Sequence, residues 1–213
     1  MSAGIAIGER DILLVVDMQN DFMPGGALAV GDGDAIVPLV NRLGRSFANV
    51  ALTQDWHPAG HVSFASSHPG KRPFETIAVS YGAQTLWPDH CVQGSLGAAL
   101  HRDIAIPHAI LILRKGYNRA VDSYSAFAEA DRQTATGLAG FLREKDIRRI
   151  FVCGLATDFC VGWSALDARA RGFETLVIED ACRAIDANGS LARAWAQMGA
   201  AGVRRVRSSE ITR

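Results

Sequence analysis

Short runs of consecutive apolar residues alternate with amphipathic segments along most of the chain. An apolar run without polar alternation is typical of a strand buried on both faces of a parallel sheet. Such runs predict interior strands, and a further run at 203–206 predicts an edge strand. The interior strands are predicted at 12–16, 50–53, 110–113, 150–153 and 175–178.

Segments with apolar residues every three or four positions lie between these runs and predict helices. The first begins at Asp34, which can cap a helix, and extends to Phe47. Three more helices are predicted over residues 136–145, 159–171 and 190–199. Strands that alternate with helices form a mainly parallel sheet covered on both faces. The pattern therefore predicts an α/β protein, built as a three-layer α/β/α sandwich.

One segment interrupts this alternation. Residues 54–107 show little periodicity, yet they contain five of the six histidines. Non-periodic segments of this length are uncommon inside compact domains and usually carry function. No repeat, low-complexity tract or Pro/Gly-rich linker divides the chain. We therefore predict a single domain over residues 1–213, with a functional loop insertion at about 54–107.

Composition and charge narrow the class of protein. The 22 Lys and Arg residues balance 22 Asp and Glu residues. This balance argues against electrostatic binding to nucleic acid or to an anionic membrane. No apolar run approaches the ~20 residues that span a bilayer, and the first residues lack the pattern of an export signal. Four cysteines without such a signal favour reduced thiols. We expect a cytoplasmic protein.

Polar residues of unlike chemistry follow the predicted strands where each strand ends. Asp17 follows the first strand, Asp55 and His57 the second, Lys115 the third and Cys160 the fourth. In an open α/β sheet, ligands bind beyond the carboxyl ends of the strands. We therefore expect these side chains to converge on one edge of the sheet.

Three of these residues together have the chemistry of an activated nucleophile. A thiol is only a few per cent ionised at neutral pH, and its pKa falls beside a cation or at a helix N-terminus. We expect Lys115 and the helix that begins near Phe159 to lower the pKa of Cys160. Asp17 can accept the thiol proton and return it to a leaving group. A lone cysteine, by contrast, is most often a small core residue.

A second constellation, Asp55, His57, His61 and His90, has the chemistry of metal ligands. One residue separates Asp55 from His57 at a strand end, which places both side chains on the same face. Such sets suit Zn²⁺, Fe²⁺ or Mn²⁺, and open coordination positions mark a functional site. The alternative is that loop histidines cluster by chance.

Five motifs resemble, in order and over nearly the whole chain, those of the isochorismatase-like cysteine hydrolases. The second and third motifs narrow the match to the nicotinamidase/pyrazinamidase branch, which the metal site distinguishes. The motifs are Asp-Met-Gln-Asn-Asp-Phe at 17–22, Asp-Trp-His-Pro at 55–58, Trp-Pro-Asp-His-Cys at 87–91, Lys-Gly at 115–116 and Gly-Leu-Ala-Thr-Asp-Phe-Cys-Val at 154–161.

The resemblance implies a role for each matching residue, and a cis peptide bond before Ala156. His61 matches a position that binds the metal in some relatives and not in others, so a fourth ligand stays an open alternative. The implied roles are a catalytic triad of Asp17, Lys115 and Cys160, an oxyanion hole from the N–H groups of Ala156 and Cys160, substrate contacts from Phe22, Trp87 and Tyr124, and metal ligands Asp55, His57 and His90.

The implied activity is that of an amidohydrolase. It converts nicotinamide to nicotinate and ammonia through a cysteine thioester, accepts pyrazinamide and serves NAD recycling. The implied cofactor is one divalent ion, with zinc expected and iron or manganese as alternatives. The implied partner is the small-molecule substrate, with no nucleic acid and no membrane, and the protein acts as a monomer or a small homo-oligomer.

Three other functions are alternatives to this one. A metal-independent amide or carbamoyl hydrolase of the same superfamily shares the triad, but Asp55, His57 and His90 argue against it. Isochorismatase proper acts on a vinyl ether and lacks the nucleophilic cysteine. A metal-sensing or thiol-redox binding protein would not require Lys115 and Asp17 at separate strand ends.

Overall fold

The computed structural model describes residues 4–212, and the strands in that range form one large sheet and two small ones. The large sheet is ordered β6-β3-β2-β7-β8-β9, and every neighbouring pair in it is parallel. The predicted mainly parallel sheet is thereby confirmed. The strands are β1 (Ile5–Ala6), β2 (Asp11–Val16), β3 (Asn49–Asp55), β4 (Thr76–Val79), β5 (Gly82–Thr85), β6 (Leu111–Lys115), β7 (Arg149–Leu155), β8 (Glu174–Arg183), β9 (Arg204–Val206) and β10 (Ile211–Thr212).

The central strands of the large sheet owe their position to uninterrupted apolar sequence. Every residue of β2 is buried, as is every residue of β7 after Arg149, because helices cover both faces of a parallel sheet. The two strands approach closely at Gly154, whose φ is +115°. A Cβ atom there would overlap the carbonyl oxygen of Val16, so this pairing requires glycine.

Helices connect the strands of the large sheet, close to their predicted positions. The strand order moves one way across the sheet through α1 and the other way through α3, so right-handed crossovers place these two helices on opposite faces. No helix within residues 4–212 is long and apolar enough to cross a membrane. The helices are α1 (Val37–Ser46), α2 (Leu138–Glu144), α3 (Gly162–Ala170) and α4 (Ser190–Ala200).

The predicted insertion leaves the sheet after Asp55 and covers its carboxyl edge. Its regular structure consists of a short 3-10 turn, Ala65–Ser67, and the antiparallel hairpin of β4 and β5. Backbone hydrogen bonds tie the segment together, since Trp87 N–H donates to the Ser63 carbonyl and Ala65 N–H donates to the Trp87 carbonyl, each at 2.8 Å. These hydrogen bonds join residues 63–65 to Trp87 within the segment predicted as an insertion.

Candidate active site

Asp17, at the carboxyl edge of the large sheet, has a strained backbone conformation. Asp17, directly after β2, has a φ of +48°, a left-handed conformation that is uncommon outside glycine and clusters at functional sites. Its Oδ1 accepts a hydrogen bond from the Thr53 hydroxyl at 2.5 Å, and its N–H donates to the same hydroxyl at 3.1 Å. The turn and the hydroxyl fix the direction of the carboxylate.

Lys115, the last residue of β6, brings the predicted residues together. Its ammonium is fully buried and lies 2.8 Å from Asp17 Oδ2, 3.0 Å from the Ser123 carbonyl oxygen and 3.3 Å from Cys160 Sγ. It also donates to Asp55 Oδ1. A lysine is rarely buried without partners, and here its partners include the proposed base and nucleophile.

The charges around this ammonium hold it in the protonated form. Burial acts to lower the pKa of Lys115, but the carboxylates of Asp17 and Asp55 outweigh burial and raise the pKa well above its ordinary value. Burial raises the pKa of Asp17 above 3.8, against the opposing effect of Lys115. Asp17 is therefore a stronger base than an exposed aspartate.

The prediction that the pKa of Cys160 is lowered is wrong. Burial is the largest effect and raises the pKa of the Cys160 thiol well above its ordinary value; the lowering effect of Lys115 is smaller, and Asp55 and Asp17 also act in the raising direction. Cys160 also lies in a π-helical turn, Thr157–Val161, ahead of α3. The raised pKa favours the thiol form of Cys160, and a carboxylate oxygen of Asp17 lies within 4.8 Å of the sulfur.

The predicted metal ligands also meet at this edge. Asp55 Oδ2 lies 3.8 Å from His57 Nε2 and 4.0 Å from His90 Nε2. His57 Nδ1 lies 2.8 Å from the Gly116 carbonyl oxygen, and His90 Nδ1 lies 2.8 Å from that of Pro88. These backbone acceptors fix both rings with Nε2 directed at the carboxylate, the arrangement typical of metal-binding histidines.

This donor set fits a divalent ion. Ligand atoms about 2.0–2.2 Å from a tetrahedral zinc lie roughly 3.4 Å apart, so the spacing here needs only a small inward shift. Burial lowers the pKa of His57 and of His90 to about 4, which keeps both rings in the neutral form that binds metals. Asp55 joins the two constellations, since Oδ1 accepts from Lys115 and Oδ2 faces the histidines.

His61 has a different environment from the other three. Its Nδ1 accepts the Ser63 N–H at 3.3 Å and lies 2.8 Å from the Ser63 hydroxyl, and its Nε2 lies 3.3 Å from the Val121 carbonyl oxygen. Its ring packs 4.2 Å from that of His57. Both nitrogens of His61 have hydrogen-bond partners, but a ligand atom of His61 also lies within 4.8 Å of those of His57 and Asp122, so its role as a fourth ligand stays a prediction.

A narrow pocket opens above the thiol and the histidines. The space inside it is about 350 Å³, including its open mouth. Trp87 Nε1 donates to the Tyr124 hydroxyl at 2.9 Å, and the Trp87 ring meets the Phe159 ring edge-on at 4.9 Å. The three predicted substrate contacts all reach the pocket. Its lining is Phe22, Leu28, Asp55, His57, Trp87, His90, Asp122, Tyr124, Ala156, Phe159, Cys160 and Ile185.

The backbone after β7 also faces the pocket. The peptide bond between Leu155 and Ala156 is cis, as the resemblance implied, and Ala156 lines the pocket beside Cys160. The pocket is also lined by residues that were not predicted from their position after a strand, and Asp122 is the most important of these. The one signal in the sequence was the position of Asp122 two residues before Tyr124, itself a pocket candidate.

Residues 11–210 match the family model of the isochorismatase domain. The chain belongs to the isochorismatase family. This isochorismatase-family chain is 56% identical over 199 residues to the nicotinamidase of Acinetobacter baylyi, an alignment that covers 93% of each protein. The alignment covers 93% of this chain, so it extends over most of both the predicted metal ligands and the residues that follow the strands.

Solved structures share the fold. The Acinetobacter baumanii nicotinamidase and pyrazinamidase has a TM-score of 0.95 and 57% identity, with 95% of this chain and 98% of that one covered. The pyrazinamidase of Pyrococcus horikoshii in complex with zinc has a TM-score of 0.76 and 36% identity, with 93% and 99% covered. The second structure shows that a relative binds zinc.

Gly116→Ala is expected to weaken divalent-ion binding without removing a ligand. Gly116 has a φ of +67°, and a Cβ atom there would overlap the imidazole of His57. The ring must move, so we expect an approximately 10–100-fold weaker ion affinity. Titration with Zn²⁺ against a chelator measures this. Gly140→Ala, where a Cβ atom meets nothing within 4 Å, serves as control. Wild-type affinity in Gly116→Ala would contradict the assigned role of His57.

Proposed function

We propose that this isochorismatase-family protein is a nicotinamidase, which hydrolyses nicotinamide to nicotinate and ammonia and accepts pyrazinamide as an analogue. The observation that carries the proposal is the buried ammonium of Lys115, which joins Asp17, Cys160 and the metal-type Asp55 beside an aromatic-lined pocket. The identity to nicotinamidases over most of the chain supports it.

The pocket suits a flat heteroaromatic amide. Phe22 and Trp87 line it with aromatic surface, against which a pyridine ring can pack. We place the ring nitrogen toward Asp55, His57 and His90, which orients the carboxamide carbon toward Cys160. Those three residues would hold a divalent ion, which we propose to be zinc with iron or manganese as alternatives, and that ion would supply Lewis acidity and an open position that orients the ring. Orientation of this kind can contribute several kcal/mol to catalysis.

The first half of the reaction forms a thioester. Asp17 takes the proton from the Cys160 thiol while the ammonium of Lys115 stabilises the developing thiolate, and the sulfur attacks the carboxamide carbon. We assign the N–H groups of Ala156 and Cys160 to the resulting oxyanion, where each donor is typically worth about 3–4 kcal/mol. Asp17 then gives its proton to the departing amine, which leaves as ammonia.

The second half releases the acid. Asp17, again ionised, accepts a proton from a water molecule, and the water oxygen attacks the thioester carbon. The oxyanion collapses, the carbon–sulfur bond breaks, and the proton returns from Asp17 to the Cys160 sulfur. Nicotinic acid leaves and releases its proton to solvent as nicotinate, and the starting state is restored, with one water consumed for each amide hydrolysed. We place this reaction in NAD recycling.

Release of ammonia from nicotinamide tests the proposal directly. The purified protein with bound divalent ion is incubated with nicotinamide, pyrazinamide, N-carbamoylsarcosine and ureidoacrylate, and ammonia is measured. Turnover of the two aromatic amides, with little or none of the other two substrates, is expected. Preference for a carbamoyl substrate, or no release from nicotinamide, would reject the proposed function.

The pH profile of kcat/KM is expected to show a broad neutral plateau. Asp17 must be ionised to accept a proton, and burial raises its pKa above 3.8, so activity should fall on the acid side at a pH above that value. The raised pKa of Cys160 keeps the thiol protonated through neutral pH, so no alkaline fall is expected below about pH 8.5. Metal content measured at each pH separates Asp17 protonation from acid loss of the ion. An acid limb centred below 3.8 would contradict the role of Asp17.

A further inference from the structure

The wall of the pocket contains a buried carboxylate that the proposed chemistry does not use. Asp122 is 2% exposed and lines the pocket. Its Oδ1 accepts the Ser123 N–H at 2.8 Å, and its Oδ2 accepts from Gln84 Nε2 at 2.7 Å. Both donors are neutral. The buried ammonium of the site, Lys115, forms its ion pairs with Asp17 and Asp55 and not with Asp122.

The neighbouring histidines do not supply the missing positive charge. An imidazole is neutral when one nitrogen donates a hydrogen and the other offers a lone pair. His61 accepts the Ser63 N–H at Nδ1 and so carries its hydrogen on Nε2, beside the Val121 carbonyl oxygen. His57 faces the Gly116 carbonyl with Nδ1, which leaves Nε2 as a metal-binding lone pair. Both rings are neutral in these roles.

The charges that meet at the site therefore do not balance without a further cation. Asp17, Asp55 and Asp122 contribute three negative charges when ionised, and Lys115 contributes one positive charge. An unpaired buried charge is strongly destabilising. A divalent ion held by Asp55, His57 and His90 brings the local sum to zero, but only if the charge of Asp122 is counted.

We propose that Asp122 is the charge-balancing partner of the divalent ion and retains it in the site without being one of its three protein ligands. Its carboxylate lies beside the proposed ligands, because a ligand atom of Asp122 lies within 4.8 Å of ligand atoms of His57 and His61 and Asp122 lines the same pocket as Asp55 and His90. Gln84 and Ser123 hold it there. The inference rests on the proposed function only in that a divalent ion occupies the site. Asp122 is a positioning residue, since it acts on catalysis through the ion.

Zn²⁺ affinity of the whole protein tests the inference apart from turnover. The dissociation constant is measured by competition with a chelator for wild type, Asp122→Asn and Asp122→Glu. We expect Asp122→Asn to bind Zn²⁺ about 10–100-fold more weakly and Asp122→Glu, which keeps the charge, to restore most of the affinity. Asp167→Asn changes a carboxylate that pairs with Arg132 and does not line the pocket, so its Zn²⁺ affinity should equal that of wild type.

Thermal unfolding separates loss of charge from loss of structure. Metal-free Asp122→Asn should melt no lower than metal-free wild type, because the substitution removes an unpaired buried charge, whereas its stabilisation by Zn²⁺ should be smaller. Should Asp122→Asn not fold, Asp122→Ser carries the same test with a smaller neutral side chain. A folded neutral variant with wild-type Zn²⁺ affinity, or a Glu variant as weak as the Asn variant, would overturn the inference. Failure of nicotinamide turnover by wild type would instead reject the proposed function.

Discussion

Cys160→Ala is expected to abolish amide hydrolysis while the fold and ion binding persist. Among the residues that line the pocket, only Cys160 carries a thiol, so no other side chain there can form the thioester. Loss of a covalent nucleophile lowers kcat by roughly 10⁴-fold or more. The ion should be retained, because Cys160 lies outside the Asp55, His57 and His90 donor set.

Three measurements check this expectation. Ammonia release gives the rate, mass spectrometry of the quenched reaction detects the nicotinoyl adduct on wild type and not on the variant, and elemental analysis gives the ion content. Cys153→Ala is the matched control, because Cys153 is also a fully buried free thiol but lies within β7 and away from the pocket. Turnover in Cys160→Ala above one hundredth of wild type would refute the nucleophile assignment.

Most of the large sheet could be predicted because its strands are uninterrupted apolar runs in the sequence. The run at 110–113, predicted as an interior strand, instead forms the edge strand β6, where Ile112 is 53% exposed. The prediction at 12–16 differs from β2 by one residue. By contrast, β8 continues five residues past its predicted end at 178. Its pairing with β7 shifts register between Val152 and Gly154, and the polar residues Glu179 and Asp180 are part of the strand at this irregularity. The sequence pattern also does not predict the hairpin of β4 and β5, because its strands are only four residues long and half exposed.

Asp17, Lys115 and Cys160 are predicted to meet at one edge because each follows a strand, and the structure brings these three side chains together. The order of residues does not give the sign of the Cys160 pKa shift. That sign depends on how completely the thiol is buried and on the second carboxylate, Asp55, that competes for Lys115. The sequence does not show how deeply the Cys160 thiol is buried or that two carboxylates share the Lys115 ammonium. The sequence also did not predict Asp122 as a pocket residue, because Asp122 lies in a loop and not at a strand end.

Lys115→Met is expected to have the largest effect on stability. The change keeps the length and apolar stem of the side chain but leaves Asp17 and Asp55 buried without their shared ammonium. Removing one partner of a buried charge pair typically costs about 3–5 kcal/mol. Urea unfolding at pH 7 should show this loss in the free energy of unfolding, and ammonia release should fall with it, because Cys160 loses its stabilising cation.

The pH dependence of the Lys115→Met deficit identifies its cause. Without the ammonium, burial holds the folded-state pKa of both carboxyl groups above the unfolded value. A group with a raised pKa contributes its stability at low pH and loses it as pH rises through the folded pKa. The deficit should therefore shrink as pH falls from 7 toward 4. Lys71→Met, at an exposed pair with Glu75, should change stability by less than about 0.5 kcal/mol at any pH. A pH-independent deficit in Lys115→Met would point to lost packing and against a shared buried charge.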